Sequence, residues 1–223
     1  MEHDYEEFTD YWINNDTIII KRNFNDDINT VNFENCIRTL IFTNYDKIDD
    51  INKSINDDKY YNFFKFKGSN FNQYVDNLPS SLLNLTFGYH FNCTVDNLPQ
   101  TLQTLTFGDY FNCTVDNLPQ ILQTLTFGFF FNQSVNNLPQ TLLNLTFGCC
   151  FYQSVDDLPN SLITINFTNN YNNNSCIFNR ELNCLPNSIH KINLPKKYNQ
   201  EIKQIPSNLK NNILYICIII YET

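Results

Sequence analysis

Eight cysteines, three histidines and a recurring aspartate are the residues of this 223-residue chain with the most chemical capacity. Their spacing argues against most of the chemistry they could do. Cys36, Cys93, Cys113, Cys149, Cys150, Cys176, Cys184 and Cys217 contain no C-x-x-C pair and no His/Cys pair at metal-ligand spacing. The acidic start Met1-Glu2-His3-Asp4-Tyr5-Glu6-Glu7 lacks the basic and apolar run of a secretory leader. All eight are therefore read as reduced thiols of an intracellular, cytoplasmic protein. His3, His90 and His190 are far apart, so no nucleophile, base and orienting group converge. Each of the five glycines stands alone, which leaves no phosphate-binding loop. The expectation is a non-enzyme with no metal and no cofactor.

Charge narrows the partners. Fourteen Lys and Arg against 23 Asp and Glu leave a net charge of −9, the wrong sign for neutralising phosphates or anionic lipid. The longest apolar stretch, Ile213 to Tyr221, is about half the ~20 residues of a membrane-spanning helix and reads as a terminal strand. Neither nucleic acid nor membrane is expected as a partner. The chain has no Ala and is rich in Asn, Ile, Phe and Tyr, a bias toward AT-rich codons that weakens any argument from Asn abundance alone.

The elements that must position these residues come from a repeat. Gly68, Gly88, Gly108, Gly128 and Gly148 lie twenty apart, and so do Phe71, Phe91, Phe111, Phe131 and Phe151. The Leu-Pro pairs beginning at Leu78, Leu98, Leu118, Leu138 and Leu158 keep the same interval. One unit reads F-N-x-x-V-D-N-L-P-x-x-L-x-x-L-x-F-G-x-x, as from Phe91 to Tyr110. Twenty residues that include a Pro and a Gly cannot hold a strand, a three-turn helix and two connections. Each unit is instead one short strand plus turns, with Leu102, Leu105 and Phe107 inward. Stacked at ~4.8 Å, neighbouring units form a parallel sheet over a continuous apolar column. The Gly is expected to supply a positive-φ turn or a close chain approach, and the Pro to fix the opposite wall. Asn72, Asn92, Asn112 and Asn132 should form an amide ladder between turns, weakened where Tyr152 replaces the Asn.

The repeat F-N-x-x-V-x-x-L-P-x-x-L-x-x-L-x-F-G, held from Phe71 to Phe167, resembles the FNIP repeat, a relative of the leucine-rich repeats frequent in amoebae and their large DNA viruses. The resemblance implies a leucine-rich-repeat-like solenoid with little helix. In that family the repeats often follow an F-box, which implies a substrate-recognition arm of a cullin-type ubiquitin ligase. Residues 1–50 contain no Pro and no legible F-box. For a viral member, the compartment implied is the host cytoplasm.

The units divide the chain into an N-terminal cap region (1–36), degenerate repeats (37–70), five regular repeats (71–170), an Asn-rich insertion (171–177), and degenerate repeats with a capping strand (178–223). Ile37, Leu40 and Phe42 echo the motif upstream; Phe178-Asn179, Leu185-Pro186 and Ile192, then Tyr198-Asn199, Ile205-Pro206 and Leu209, echo it downstream. Tyr5, Phe8, Tyr11 and Trp12 are spaced for one face of a short capping helix.

Within this frame, Cys93 and Cys113 stack within disulfide reach yet are read as a reduced pair, and Cys149-Cys150 as turn filler. Asp76, Asp96, Asp116 and Asp156 read as turn-forming residues rather than a calcium column, since no second acidic column supplies oxygens. The consensus vanishes at the two residues after each Gly, and there the candidate binding residues fall: Tyr89, His90, Asp109, Tyr110, Phe129 and Phe130. Thr104, Thr106, Thr124 and Thr126 on the outward strand face join them. Aromatics on a rigid rim bury much area at little entropic cost. The function expected is recognition of a protein partner; ligase subunits are the partners that the resemblance adds. A decayed copy with no retained partner is the remaining alternative.

The stacking scheme predicts that Leu105→Asp, which puts an unpaired charge in the column, abolishes cooperative unfolding. Thermal denaturation followed by circular dichroism checks it: a soluble variant melting like the parent contradicts the scheme.

Overall fold

The computed structural model describes residues 6–31, 33, 37–44, 69–167 and 175–210. The expected terminal strand at Ile213–Tyr221, the segment Tyr60–Gly68, the run Asn172–Asn174, and His3, Tyr5, Cys36 and Cys217 lie outside the described residues. One ten-stranded sheet runs in chain order. Strands β1 (Glu6–Glu7), β2 (Tyr11–Asn14) and β3 (Thr17–Ile20) pair antiparallel. From β3 onward every pairing is parallel, through β4 (Thr39–Phe42), β5 (Asn84–Thr86), β6 (Thr104–Thr106), β7 (Thr124–Thr126), β8 (Asn144–Thr146), β9 (Thr164–Asn166) and β10 (Lys191–Asn193). The chain is a β-solenoid; its helix among the described residues is limited to 3-10 turns, as at Ile28–Thr30, and one short α-helix, α1 (Ser207–Lys210).

Register follows from side-chain identity. Leu40, Leu85, Leu105, Leu125, Leu145, Ile165 and Ile192 are cross-strand partners, and none exposes more than 2% of its surface. Slipping one residue would exchange this buried row for Thr and Asn. Behind the row, two columns of rings interlock. Phe42, Phe87, Phe107, Phe127, Phe147 and Phe167 stack at 5.4–5.8 Å between centroids. Phe24, Phe71, Phe91, Phe111, Phe131, Phe151, Phe178 and Tyr198 stack at 5.9–6.2 Å. Within a turn, the two phenylalanines four residues apart lie face to face: Phe87–Phe91, Phe107–Phe111 and Phe147–Phe151 at 3.7 Å, Phe127–Phe131 at 3.6 Å. Each buried Phe contributes ~1.5–3 kcal/mol by transfer from water, and each ring pair ~0.5–1.5 kcal/mol more.

Polar ladders tie the turns where the chain leaves the sheet. The side-chain oxygen of Asn72 accepts from the backbone N–H of Asn92, Asn92 from Asn112, Asn112 from Asn132 and Asn132 from Tyr152, each at 2.8 Å. Tyr152 has no amide oxygen to pass on, and the same bond resumes from Asn199 to Asn179 at 3.0 Å. Arg180 covers the gap, donating to the Tyr152 carbonyl and lying over its ring. The aspartate column is also bridged: Asn97, Asn117 and Asn137 donate side-chain N–H groups to Asp76, Asp96 and Asp116 of the preceding turn at 2.9–3.1 Å. Pro79, Pro99, Pro119, Pro139 and Pro159 each offer a carbonyl to the N–H three residues on, closing the turn that returns the chain to the next strand.

One sequence expectation is corrected and another is narrowed. Tyr11 and Trp12 lie in strand β2 and Phe8 in the connection from β1, not in a capping helix: the Thr-Ile-Ile-Ile run of β3 is β-branched, and Asn15, at φ 50°, closes a two-residue hairpin that folds Trp12 inward. Aromatics three and four residues apart suit a helix face, but here the hairpin partner decides. The glycines, moreover, adopt no positive φ among the described residues. Of the two expected reasons for Gly, close approach is the operative one.

The stack also begins earlier than the repeats legible in the sequence. Phe24, Ile28, Val31 and Ile37 are buried in the positions of Phe91, Val95, Leu98 and Leu102, and the Asn25 side chain accepts from Asn72 N–H at 2.8 Å. Residues 18–40 are thus a degenerate unit with the signature Phe24-Asn25-x-x-Ile28-x-x-Val31 and no Pro.

A Cβ on Gly128 would collide with the carbonyl oxygen and carbon of Gly108 in the turn below. With φ negative, Gly→Ala in open space would stabilise by ~0.4–1 kcal/mol. Gly128→Ala is predicted instead to destabilise, by ~3 kcal/mol as backbones are forced apart. Denaturant unfolding reads the sign directly.

Candidate functional site

The two residues after each glycine form a second parallel ladder beside the sheet. His90 N–H donates to the Ser69 carbonyl, Tyr110 to Tyr89, Phe130 to Asp109, Cys150 to Phe129 and Ile177 to Cys149, at 2.9–3.2 Å. The first residue of each pair is thereby turned partly inward and the second outward: Tyr89, Asp109 and Phe129 are half-buried, His90, Tyr110 and Phe130 exposed. Neighbouring rings touch continuously. Tyr89 lies edge-on to His90 at 4.9 Å and 5.1 Å from Tyr110; Tyr110 is 5.3 Å from His90 and 5.0 Å from Phe130; Phe129 meets Phe130 at 4.9 Å. The six rim candidates from the sequence are therefore brought together along three turns, with the Asp109 carboxylate accepting from Phe129 N–H at 3.3 Å. Burial pushes the Tyr89 phenol upward from its ordinary value, aided by Tyr110 and Asp109, so it stays neutral at physiological pH.

Thr104, Thr106, Thr124 and Thr126 occupy the outward strand positions and are half-buried. That face is cross-linked by its own side chains, Asn84 to Thr39 at 3.3 Å, Asn144 to Thr124 at 3.5 Å and Asn166 to Thr146 at 3.1 Å. It is a flat polar sheet surface beside the rim.

Two contributors to the rim, Ile177 and Asn44, were missed from sequence. Cys150, which follows Gly148 as the other pairs follow their glycines, and Ile177 extend the outward row, and Ile177 is 54% exposed. Asn44 anchors the other end, its side-chain oxygen accepting from Ser69 N–H at 2.8 Å and Tyr89 N–H at 3.3 Å. Ile177 was hidden because seven extra residues separate Cys149 from Cys176 relative to the 20-residue period, the sequence separation being 27. The signal that could have found it is Phe178, one residue on, which continues the Phe column. The period is interrupted twice, between residues 44 and 69 and between 167 and 175, and the described residues Asn44, Ser69 and Ile177 near these breaks belong to the rim ladder. Insertions in solenoids gather on one face, often the binding face.

The thiols are not all free. Cys149 and Cys176 form a disulfide, which corrects the reading of all eight as reduced and of Cys149 as turn filler. The parallel register resumes at Ile177, whose N–H donates to the Cys149 carbonyl, and this places Cys176 beside Cys149. Cys93, Cys113 and Cys150 are free and half-buried, with burial as the main cause raising their thiol pKa; they are protonated, weak nucleophiles. The Cys93 and Cys113 thiols donate to the Asn72 and Asn92 side-chain oxygens at 3.4 Å, joining the amide ladder. Among the described residues no three His, Cys, Asp or Glu side chains converge as metal ligands, and no helix is long and apolar enough to cross a membrane.

The FNIP repeat profile matches residues 71–110 and 93–130, the turns that carry the aromatic rim. Residues 71–130 are FNIP repeats. No curated protein matches the chain. Among solved structures, it is similar to CroV588, described as a novel circular LRR protein structure, with 27% identity over 90% of this chain and a TM-score of 0.56. The chain spans 34% of the length of that protein. A FNIP, leucine-rich-repeat-like stack has the architecture of a protein-interaction scaffold.

Cysteine accessibility tests the site geometry. Under non-reducing conditions iodoacetamide should label exposed Cys184 first, Cys93, Cys113 and Cys150 slowly, and Cys149 and Cys176 only after reductant, as read by peptide mass spectrometry. Labelling of Cys176 without reductant contradicts the cross-link.

Proposed function

We propose that the FNIP stack is a protein-recognition module whose partner docks on the aromatic rim formed by Tyr89, His90, Tyr110, Phe129 and Phe130, flanked by Asp109 and by the Thr104, Thr106, Thr124 and Thr126 face. The observation that carries this reading is the exposure of large rings on backbone that is hydrogen-bonded at every turn: Tyr110 is 44% and Phe130 39% exposed. Interior positions of the same turns are all filled by Phe, Leu and Val, so the rim rings are not needed to complete the core. Aromatics held in this way lose little freedom on binding and are the residue type that dominates contact energies.

The test is the double change Tyr110→Ala and Phe130→Ala. Circular dichroism and melting should be unchanged, because neither ring enters the Phe columns, while specific partners captured from cell extract weaken by ~2 kcal/mol or more, roughly 30-fold. Retention of every partner by the variant moves binding elsewhere. Cullin-ligase subunits among the rim-dependent proteins would make the module a substrate-recognition arm.

A further inference from the structure

We infer that Cys93 and Cys113 form a reversible dithiol–disulfide site, oxidised by small-molecule disulfides such as oxidised glutathione, that clamps two adjacent turns of the stack. It stands whatever docks on the rim. The two cysteines hold the same place in successive repeats, two residues after Phe91 and Phe111. Paired strands lie ~4.8 Å apart, and the Phe91 and Phe111 rings stack at 6.1 Å. Both spacings fall within the roughly 4.4–6.8 Å between Cα atoms that a disulfide spans. The thiols point the same way: Cys93 Sγ donates to the Asn72 side-chain oxygen and Cys113 Sγ to that of Asn92, each at 3.4 Å. The stack already joins one such pair, since Cys149 and Cys176, neighbours across one turn, are bridged. That bond is buried, at 1% and 3% exposure, whereas Cys93 and Cys113 are half-buried and open to a solute.

The neighbouring turns make cysteine the odd choice at this place. Gln73 and Gln153 stand there in other repeats, donating side-chain N–H groups to oxygens of Asn25 and Asn132 in the turn below at 3.0–3.5 Å. A thiol is a weaker donor, so the ladder alone favours Gln at 93 and 113. Each Asn oxygen also keeps its 2.8 Å bond from the backbone of the next turn, so loss of both S–H donors leaves the ladder intact. Oxidation proceeds by two exchanges. The thiolate of one cysteine attacks a sulfur of the small disulfide, giving a mixed disulfide and one small thiolate. The thiolate of the other cysteine then displaces the second small thiolate and closes the Cys93–Cys113 bond. The two cysteines lose two electrons, the small disulfide gains them, and the two thiol protons pass to the released thiolates. Burial, and after it the neighbouring Cys113, raises the Cys93 thiol pKa, which slows the first exchange; the second is intramolecular and fast.

The experiment incubates the full chain, dilute, in oxidised glutathione, blocks remaining thiols with iodoacetamide, and cleaves before aspartate, since Asp96 and Asp109 separate the two cysteines. Mass spectrometry should find a peptide pair linked through Cys93 and Cys113 that reduced glutathione reopens. The melt should rise by about 5–10 °C on oxidation. Cys93→Ser, which is expected to melt like the parent when both are reduced, should show no such rise. Glutathione on either cysteine without the cross-link, both thiols still open to alkylation, or linkage to Cys184 or to a second copy overturns the inference. So does a linked pair that leaves the melt unmoved, or a rise that Cys93→Ser shares.

Discussion

Face-to-face packing of two phenylalanines four residues apart, repeated every twenty residues, is the contact on which the rest of the structure depends. The pairs at 3.6–3.7 Å fix the bend between strand end and corner within a turn, and the same rings stacked at 5.4–6.2 Å fix one turn upon the next. Between each pair lie the glycine and the two rim residues. The sharp reversal that brings the rings together forces the intervening backbone against the turn below, and only Gly fits there. The rim is thus a by-product of core packing: the bend that buries two phenylalanines leaves two positions whose identity the core does not dictate.

This explains why the rim varies while its surroundings do not. Tyr89-His90, Asp109-Tyr110, Phe129-Phe130 and Cys149-Cys150 share a backbone conformation enforced from both sides, so their side chains can differ without disturbing the stack. A repeat protein whose variable positions are also its most rigid exposed ones is preorganised for binding. The asparagine and aspartate ladders that follow the rim in each turn do the complementary task, satisfying polar groups between turns and leaving fewer of them open to a partner.

Most of the architecture was legible because twenty-residue identity at Phe, Leu, Pro and Gly positions leaves few arrangements open. What was not legible has particular causes. The first part of the unit over residues 18–40, before Ile37, escaped because Ile28 and Val31 replace Val and Leu and no Pro marks the turn, although Phe24-Asn25 was present to be read. The hairpin at Tyr11 to Ile20 was obscured because aromatic spacing of three and four fits a helix as well as two strands; Asn15-Asp16 before a β-branched run was the deciding signal. The role of Gly was left between two causes, since sequence shows that a Cβ is excluded but not by what. The disulfide was lost because an insertion of seven residues disguises a stacked pair as a distant one. Of the site, the six rim residues and Cys150 were visible as breaks in consensus after each Gly, whereas Ile177 required the register.

The central claim is that the exposed rim is as rigid as the core that creates it. Native-state hydrogen exchange measures this at single amides. The account predicts that the N–H groups of Tyr110, Phe130 and Cys150 exchange as slowly as those of Leu105 and Leu125 in the adjoining strands, because all open only when turns separate. Fast exchange at the rim amides beside a protected sheet would contradict it, showing the rim to be a loose loop rather than a preorganised surface.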